Sequence, residues 1–384
     1  MISTRVLSLA ALCVASSPAF ALDQGDYSFN GFGTLGLTHL GGADESHGYG
    51  ISGQTTDHWR GDQLSKLGGQ FQYGISNTLG LTAQATAKPQ QDEWKVNLEW
   101  LYLSWRATDK LVLRAGRLGG TTYMYSDTLN IGFTNPWIRL PDEVYSQVQI
   151  TNYEGADFIY TEPFSFGSLT VQASGGVAKN RKIFVLDELY DVDYDNFFAA
   201  NATLAVNDFG SLRVSYAEAD VTSDNRAMVG TPFGMIDQTL VTLDHTHSTF
   251  TSVGYQYDNG VWISSDEWTR RTIGDGSSPV EAMYFMGGRR FGDFLAHVTY
   301  GQMKDDFGRE TSWTYGLNYN VSPTVVLKGE FKRVDTHGGT TGVFVKNAQE
   351  TVDDALFAQS SGAIGNPSRN FDGDIFSIGV DFVF

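Results

Sequence analysis

A transmembrane antiparallel β-barrel of about sixteen strands is the fold class this sequence predicts, on three observations. Apolar residues recur at every second position along most of the chain, the period of a strand with one oily and one wet face. The connections between these segments alternate, a long polar one followed by a short turn. Beyond the first 21 residues no apolar run approaches the roughly eighteen residues of a membrane-crossing helix. A chain of this kind can enter a bilayer only as strands closed on one another, because closure alone leaves no backbone group unpaired in hydrocarbon.

Residues 1–21 read as a secretory signal peptide, with Arg5 as its positive region, Val6 to Ala15 as its apolar core and Ala19-Phe20-Ala21 as the cleavage site before Leu22. The core is too short to act as an anchor. Cys13 follows Leu12, where lipid attachment needs a small residue, so a lipoprotein is not expected. Cleavage removes the only cysteine, leaving a barrel domain of residues 22–384 stabilised by packing and backbone pairing, without disulfides. The net charge of −18 becomes −19 once Arg5 leaves, which excludes nucleic acid as a partner because phosphate contacts need a basic face. Forty-three glycines and 13% aromatics suit strands and turns, but only the pattern along the chain separates a membrane barrel from a large secreted β protein.

The first strand places Tyr27, Phe29, Leu35 and Leu37 on one parity, and the Gly/Asp/His-rich stretch from about Leu40 to Asp62 reads as an exposed loop. In the second, Leu67, Gly69, Phe71, Tyr73 and Ile75 oppose Lys66, Gly68, Gln70, Gln72 and Gly74. A turn at Ser76-Asn77-Thr78 leads to Leu79, Leu81, Ala83, Ala85 and Ala87, opposed by Thr82, Gln84 and Thr86. The pattern repeats at Leu101-Leu103-Trp105 and, after Thr108-Asp109-Lys110, at Leu111-Leu113-Ala115. Later pairs include Leu169-Val171-Ala173, Ala200-Ala202-Leu204-Val206 with Leu212-Val214-Tyr216, and Val253-Tyr255-Tyr257 with Val261-Ile263. Phe294 to Tyr300, Trp313 to Tyr319 and Val325 to Phe331 follow. The segments around Asn97, Phe158 and Glu281 alternate poorly, which leaves fourteen or eighteen strands open. A barrel of this size encloses a lumen that its own side chains do not fill, so what narrows the lumen decides its use.

The last strand, Ile375 to Phe384, sets Phe376, Ile378, Val380, Phe382 and Phe384 on one face, with Ser377, Gly379 and Asp381 between them. An oily face that ends in a terminal Phe resembles the assembly signal of bacterial outer-membrane barrels. That resemblance implies recognition by the barrel-assembly machinery and a place in the Gram-negative outer membrane, in contact with lipid and lipopolysaccharide.

Residues 118–150 are too aromatic for a solvated loop and carry Asn135-Pro136 and Leu140-Pro141, which break helix and strand. The inside of the barrel is the nearest cover. Leu113-Arg114-Ala115-Gly116-Arg117, followed by Tyr125-Ser126-Asp127, Pro136-Trp137-Ile138-Arg139 and Pro141-Asp142-Glu143-Val144-Tyr145, resembles the constriction region of the Gram-negative general porins, in a gammaproteobacterial branch. The chain departs from that pattern at Gly119-Gly120, where a stiffer residue is expected. The resemblance implies a passive channel for small hydrophilic solutes and ions, no enzymatic step, no cofactor, and a homotrimer. It also implies an eyelet of loop acids Asp127, Asp142 and Glu143 facing Lys66, Arg106 and Arg114 on the inward parity, with Arg117, Tyr125 and Arg139 beside them. The same acids and bases could instead pair with one another to pin the loop. A sugar- or anion-specific porin is the nearer alternative, and a lipid-cleaving barrel enzyme the more distant one.

Other signals carry less. Asp191-Val-Asp-Tyr-Asp-Asn starts like a calcium loop, but position six is not Gly and position twelve is Ala202. His245 and His247 share a strand face without an obvious third ligand, so no metal site is expected. Asn201-Ala-Thr203 falls in a strand, and no Gly-x-Ser-x-Gly elbow occurs. The acids Asp187, Glu188, Asp191, Asp193 and Asp195 together with the net charge suggest a weak cation preference.

Overall fold

The computed structural model describes residues 22–50, 55–90, 93–185, 188–231, 234–274, 276, 279–345 and 370–384; the signal-peptide segment, residues 1–21, lies outside them. Sixteen antiparallel strands close into one barrel in sequence order, with β1 hydrogen-bonded to β16. They are β1 (Tyr27–Gly41), β2 (Lys66–Gly74), β3 (Leu79–Gln90), β4 (Glu93–Arg106), β5 (Leu111–Gly119), β6 (Asn152–Phe164), β7 (Gly167–Val185) and β8 (Glu188–Val206). The second half comprises β9 (Gly210–Thr231), β10 (Gly234–Asp258), β11 (Trp262–Ile273), β12 (Val280–Phe291), β13 (Phe294–Lys304), β14 (Arg309–Ser322), β15 (Val325–His337) and β16 (Asp372–Val383). No helix among the described residues is long and apolar enough to cross a membrane.

The alternation decides which face looks out. Leu35, Leu67, Leu103 and Trp105 are exposed on the outer surface, whereas Thr34, Thr38, Thr82, Gln84, Thr86 and Ser104 are buried on the inner parity. An outer belt of Leu, Phe, Tyr and Trp around a polar interior is the reverse of a soluble sheet, and it is what contact with hydrocarbon requires. Among the final residues Phe376, Ile378 and Phe384 are exposed on the outer face, on the same parity as Val380 and Phe382. The closing register, Phe32 to Val383 through Gly41 to Asp374, joins β1 to β16. Gly31 and Gly33 matter at this seam, because a Cβ there would collide with the rings of Phe384 and Phe382.

The three poorly alternating segments are strands β4, β6 and β12. In β4 the register passes from Gln84–Trp100 to Ala85–Leu98, so one extra residue is inserted and the parity changes hand. Leu98 and Leu101 then both face out, which hides the alternation. Ile263 also departs from expectation: it is buried on the inner face of β11, while Trp262 and Trp268 carry the outer one.

The stretch after Leu40 is not simply exposed. Residues 55–60 run beside β1, with Thr38 N donating to Arg60 O at 2.9 Å and Leu40 N to Thr56 O at 2.7 Å. Tyr49 is fully buried in a cluster with Leu40, Val334, Phe344, Phe371 and Ile375, so this segment and residues 338–345 pack over one side of the barrel mouth. The acids after Glu188 belong to strand β8, not to a loop, because β7 and β8 pair up to Val185–Glu188. Tyr190 and Val192 are buried on the inner parity, which leaves Asp191, Asp193 and Asp195 on the outer one; Lys182 pairs with Asp191, and Lys179 with Asp193 and Asp195. Asp187 lies outside the described residues.

Candidate functional site

Residues 120–151, between β5 and β6, fold into the lumen. Prolines 136 and 141 keep the segment out of regular structure apart from short turns at Ser126–Thr128 and Gly132–Thr134 and one helical turn at Asp142–Tyr145. Its aromatic side chains form a dry cluster with the wall: Tyr123, Tyr125, Trp137 and Tyr145 pack with Phe250, Tyr284 and Met286. Trp137 meets Tyr284 edge to face at 5.4 Å between ring centroids, a favoured arrangement for aromatic quadrupoles. Burial pushes the phenols of Tyr123, Tyr125 and Tyr145 well above their ordinary value, so all three stay neutral donors.

Polar contacts fix the segment to one side of the barrel. On β15, Lys328 Nζ donates to the carbonyls of Gly132 (2.8 Å), Asn135 (2.6 Å) and Trp137 (3.0 Å) and pairs with Asp381 of β16 at 2.7 Å. Four residues on, Lys332 pairs with Asp142 at 3.2 Å and with Glu143 at 3.1 Å. Ile138 N donates to Glu330 at 2.8 Å, Trp137 Nε1 to Thr299 at 2.8 Å, and Asn318 to Pro136 O at 2.7 Å. On β11, Glu267 accepts from Met124 N at 2.9 Å and from Tyr145 Oη at 2.7 Å. Charge-assisted hydrogen bonds to backbone carbonyls hold a segment that has few backbone partners of its own. Gly301 on β13 leaves room for the contact, since a Cβ there would lie 2.8 Å from the Glu143 carboxylate oxygens.

The residues expected to form an eyelet therefore separate into groups. Asp142 and Glu143 are buried, 7% and 1% exposed, and face Lys332 on β15, not the basic wall of β2–β5. Arg139 donates to Thr55 Oγ1 at 2.8 Å, and Tyr125 Oη donates to Ser265 at 3.0 Å, so both tie the segment to its surroundings. Arg114 points inward but is engaged by Asp157 of neighbouring β6, through Nε at 2.9 Å, and stacks over Tyr102. Arg117 stands on the outer parity, where it pairs with Glu154, itself bound to Arg181. Arg106 closes β4 at the short-turn end. Lys66 and Asp127 remain between wall and segment: Lys66 Nζ donates to Leu129 O at 3.4 Å, and Asp127 lies within electrostatic reach of Arg114.

The anchors Lys328, Glu330, Lys332 and Glu267 were not singled out from the sequence. The signal of Lys328, Glu330 and Lys332 was present in the inward parity of β15, alternating with Leu327, Gly329 and Phe331, and that of Glu267 in the inward parity of β11, where a charged side chain needs a partner in the lumen.

Fold and lumen together define a sixteen-stranded outer-membrane β-barrel with a long segment folded inside. No protein-family model matches the chain. No curated protein matches its sequence. Solved structures do share the fold. An anion-selective porin from Comamonas acidovorans is 12% identical, with a TM-score of 0.59 over 94% of this chain and 100% of that one. In-vitro folded OmpT of Vibrio cholerae, an outer membrane protein in its trimer form, is 13% identical at 0.56 over 94% and 100%. The outer membrane channel DcaP of Acinetobacter baumannii is 12% identical at 0.56 over 94% and 98%.

Proposed function

We propose that the protein is a passive, non-enzymatic diffusion channel for small hydrophilic solutes in the Gram-negative outer membrane. One observation carries the reading: the charged anchors fasten the inner segment to the β9–β16 wall, and on the opposite wall the half-buried polar side chains of Lys66, Gln70 and Arg114 border the space that serves as an aqueous passage. Within that reading Lys66, Asp127 and Arg114 line the narrow part and Arg106 its approach, whereas Tyr125, Arg139, Asp142 and Glu143 set the width by holding the segment in place. Arg117, on the outer face, takes no part in the passage.

The secretory leader is cleaved after Ala21. The oily face of β16, Phe376 to Phe384, is the signal that the assembly machinery reads, and the outer belt then meets lipid and lipopolysaccharide. Small outer-facing residues Gly69, Ala83, Ala85 and Ala87 give β2–β3 a flat surface, the place for close contact in a homotrimer. Ion preference is weak in either direction, because Asp191, Asp193 and Asp195 are already paired on the outer face. Purified protein in planar bilayers tests the reading. Stepwise conductance in groups of three, with little reversal potential in a salt gradient, is expected; lipid hydrolysis without conductance would favour the barrel enzyme instead.

A further inference from the structure

We infer that the seam between the inner segment and the β3–β4 wall is a binding subsite for a neutral polyhydroxyl solute, a sugar or polyol, touched by Trp100, Asp127 and Asn130. The inference rests on the channel reading and names the solute class that reading leaves open.

The bulge in β4 makes the subsite. By inserting a residue it turns both Glu99 and Trp100 toward the lumen, where regular pleating would send one of them into lipid. Glu99 is 2% exposed and accepts from Thr86 at 2.5 Å, pairs with Lys88 at 3.2 Å and accepts from Thr151 at 3.3 Å. Beside it the indole of Trp100 rests on Gly119, where a Cβ would stand 2.8 Å from Nε1. The glycine at which the chain departs from the expected loop entry is thus the one that admits the indole.

Across from Trp100, the segment residues Asp127 and Asn130 close a recess of about 10 Å³, room for one water-sized group, also lined by Gln84, Glu99 and Thr151. Among the described residues, the Trp100 indole N–H, the Asp127 carboxylate and the Asn130 carboxamide have no hydrogen-bond or ion-pair partner. The carboxylate of Asp127, the carboxamide of Asn130 and the indole of Trp100 therefore line, without partners of their own, a space the size of a hydroxyl, and the indole adds an aromatic surface suited to the C–H face of a ring. Apolar surface with a few placed polar groups is the usual composition of a small-molecule site.

Charge selects against ions here. Lys66, Lys88 and Arg114 on the wall are matched by Glu99, Asp127 and Asp157, so the seam offers strong local dipoles without a net sign. A neutral solute rich in hydroxyls gains from such a field and gives up less hydration than an ion.

The full mature protein in planar bilayers, with D-glucose as the probe, tests this, with polyethylene glycol of equal hydrodynamic size as the comparison. Glucose is expected to lower the ion current saturably, and polyethylene glycol only in proportion to its concentration. The glucose half-saturation should rise about tenfold in Asp127→Ala and Trp100→Leu, with Trp100→Phe intermediate, the scale of one lost charged hydrogen bond. Heat-modifiable electrophoretic mobility confirms that each variant is folded. Equal, non-saturating effects of the two probes, or an unchanged half-saturation in Asp127→Ala, would overturn the subsite. Tryptophan fluorescence in detergent separates the two readings: a saturable glucose response that Trp100→Phe abolishes supports the subsite even if no conductance is seen, an outcome that would defeat the channel alone.

Discussion

Replacing Lys328 with Met should release the middle of the inner segment while leaving the barrel intact. The ammonium, 4% exposed, donates to three segment carbonyls and pairs with Asp381, and methionine keeps the length of the side chain without the charge. Each charge-assisted bond contributes about 1.5–3 kcal/mol net, but the bonds share one donor and do not add. The better bound is the cost of breaking a buried pair and leaving Asp381 with Thr34 as its remaining partner, about 3–5 kcal/mol. At 1.4 kcal/mol per decade, the ratio of docked to undocked segment falls by about 10² to 10⁴. Lys332, Glu330 and Glu267 still hold the flanks, so the loss is confined to residues 132–138. Limited chymotrypsin digestion of the folded protein in detergent should then cut after Phe133, which wild type resists, and single-channel current should become noisy. Removing the stranded carboxylate as well, in Lys328→Met/Asp381→Leu, should restore part of the resistance. Wild-type resistance and steady current in Lys328→Met would refute the argument that this ammonium holds the segment.

Gly301→Val places a side chain where the Glu143 carboxylate sits and should cost about 1–3 kcal/mol, the range for overpacking, read as a lower midpoint in chemical unfolding. Lys332→Met leaves Asp142 and Glu143 buried without their cation and should destabilise by about 3–5 kcal/mol; a double variant with Glu143→Gln should recover part of that, and no recovery would mean the pair is not coupled. Deleting Phe384 uncovers Gly31 at the closing seam and should cut the yield of assembled, heat-modifiable barrel several-fold, with the unfolded precursor accumulating instead.

The barrel was legible in the sequence wherever a strand kept a strict period of two, as β2, β3 and β16 do. It became illegible at β4, where one inserted residue put Leu98 and Leu101 on the same face and turned Trp100 inward. The inward fold of residues 120–151 was readable from their aromatic content. The roles of the charged residues were not: Asp142 and Glu143 were read with the basic wall of β2–β5, and they lie instead against Lys332. The buried stretch around Tyr49 was equally hidden, since its cover comes from Phe344 and Phe371 near the other end of the chain.

Alternation is a local property, set by the pleat of a single strand, so the sequence by itself determined that the chain forms a barrel and which side chains meet lipid. Ion pairing inside the lumen is not local. Lys328 and the carbonyl of Gly132 are 196 residues apart, and they meet only because sixteen strands close with a fixed stagger. That closure is a property of all the registers together, so only the tertiary structure decided which wall carries the charged anchors of the inner segment.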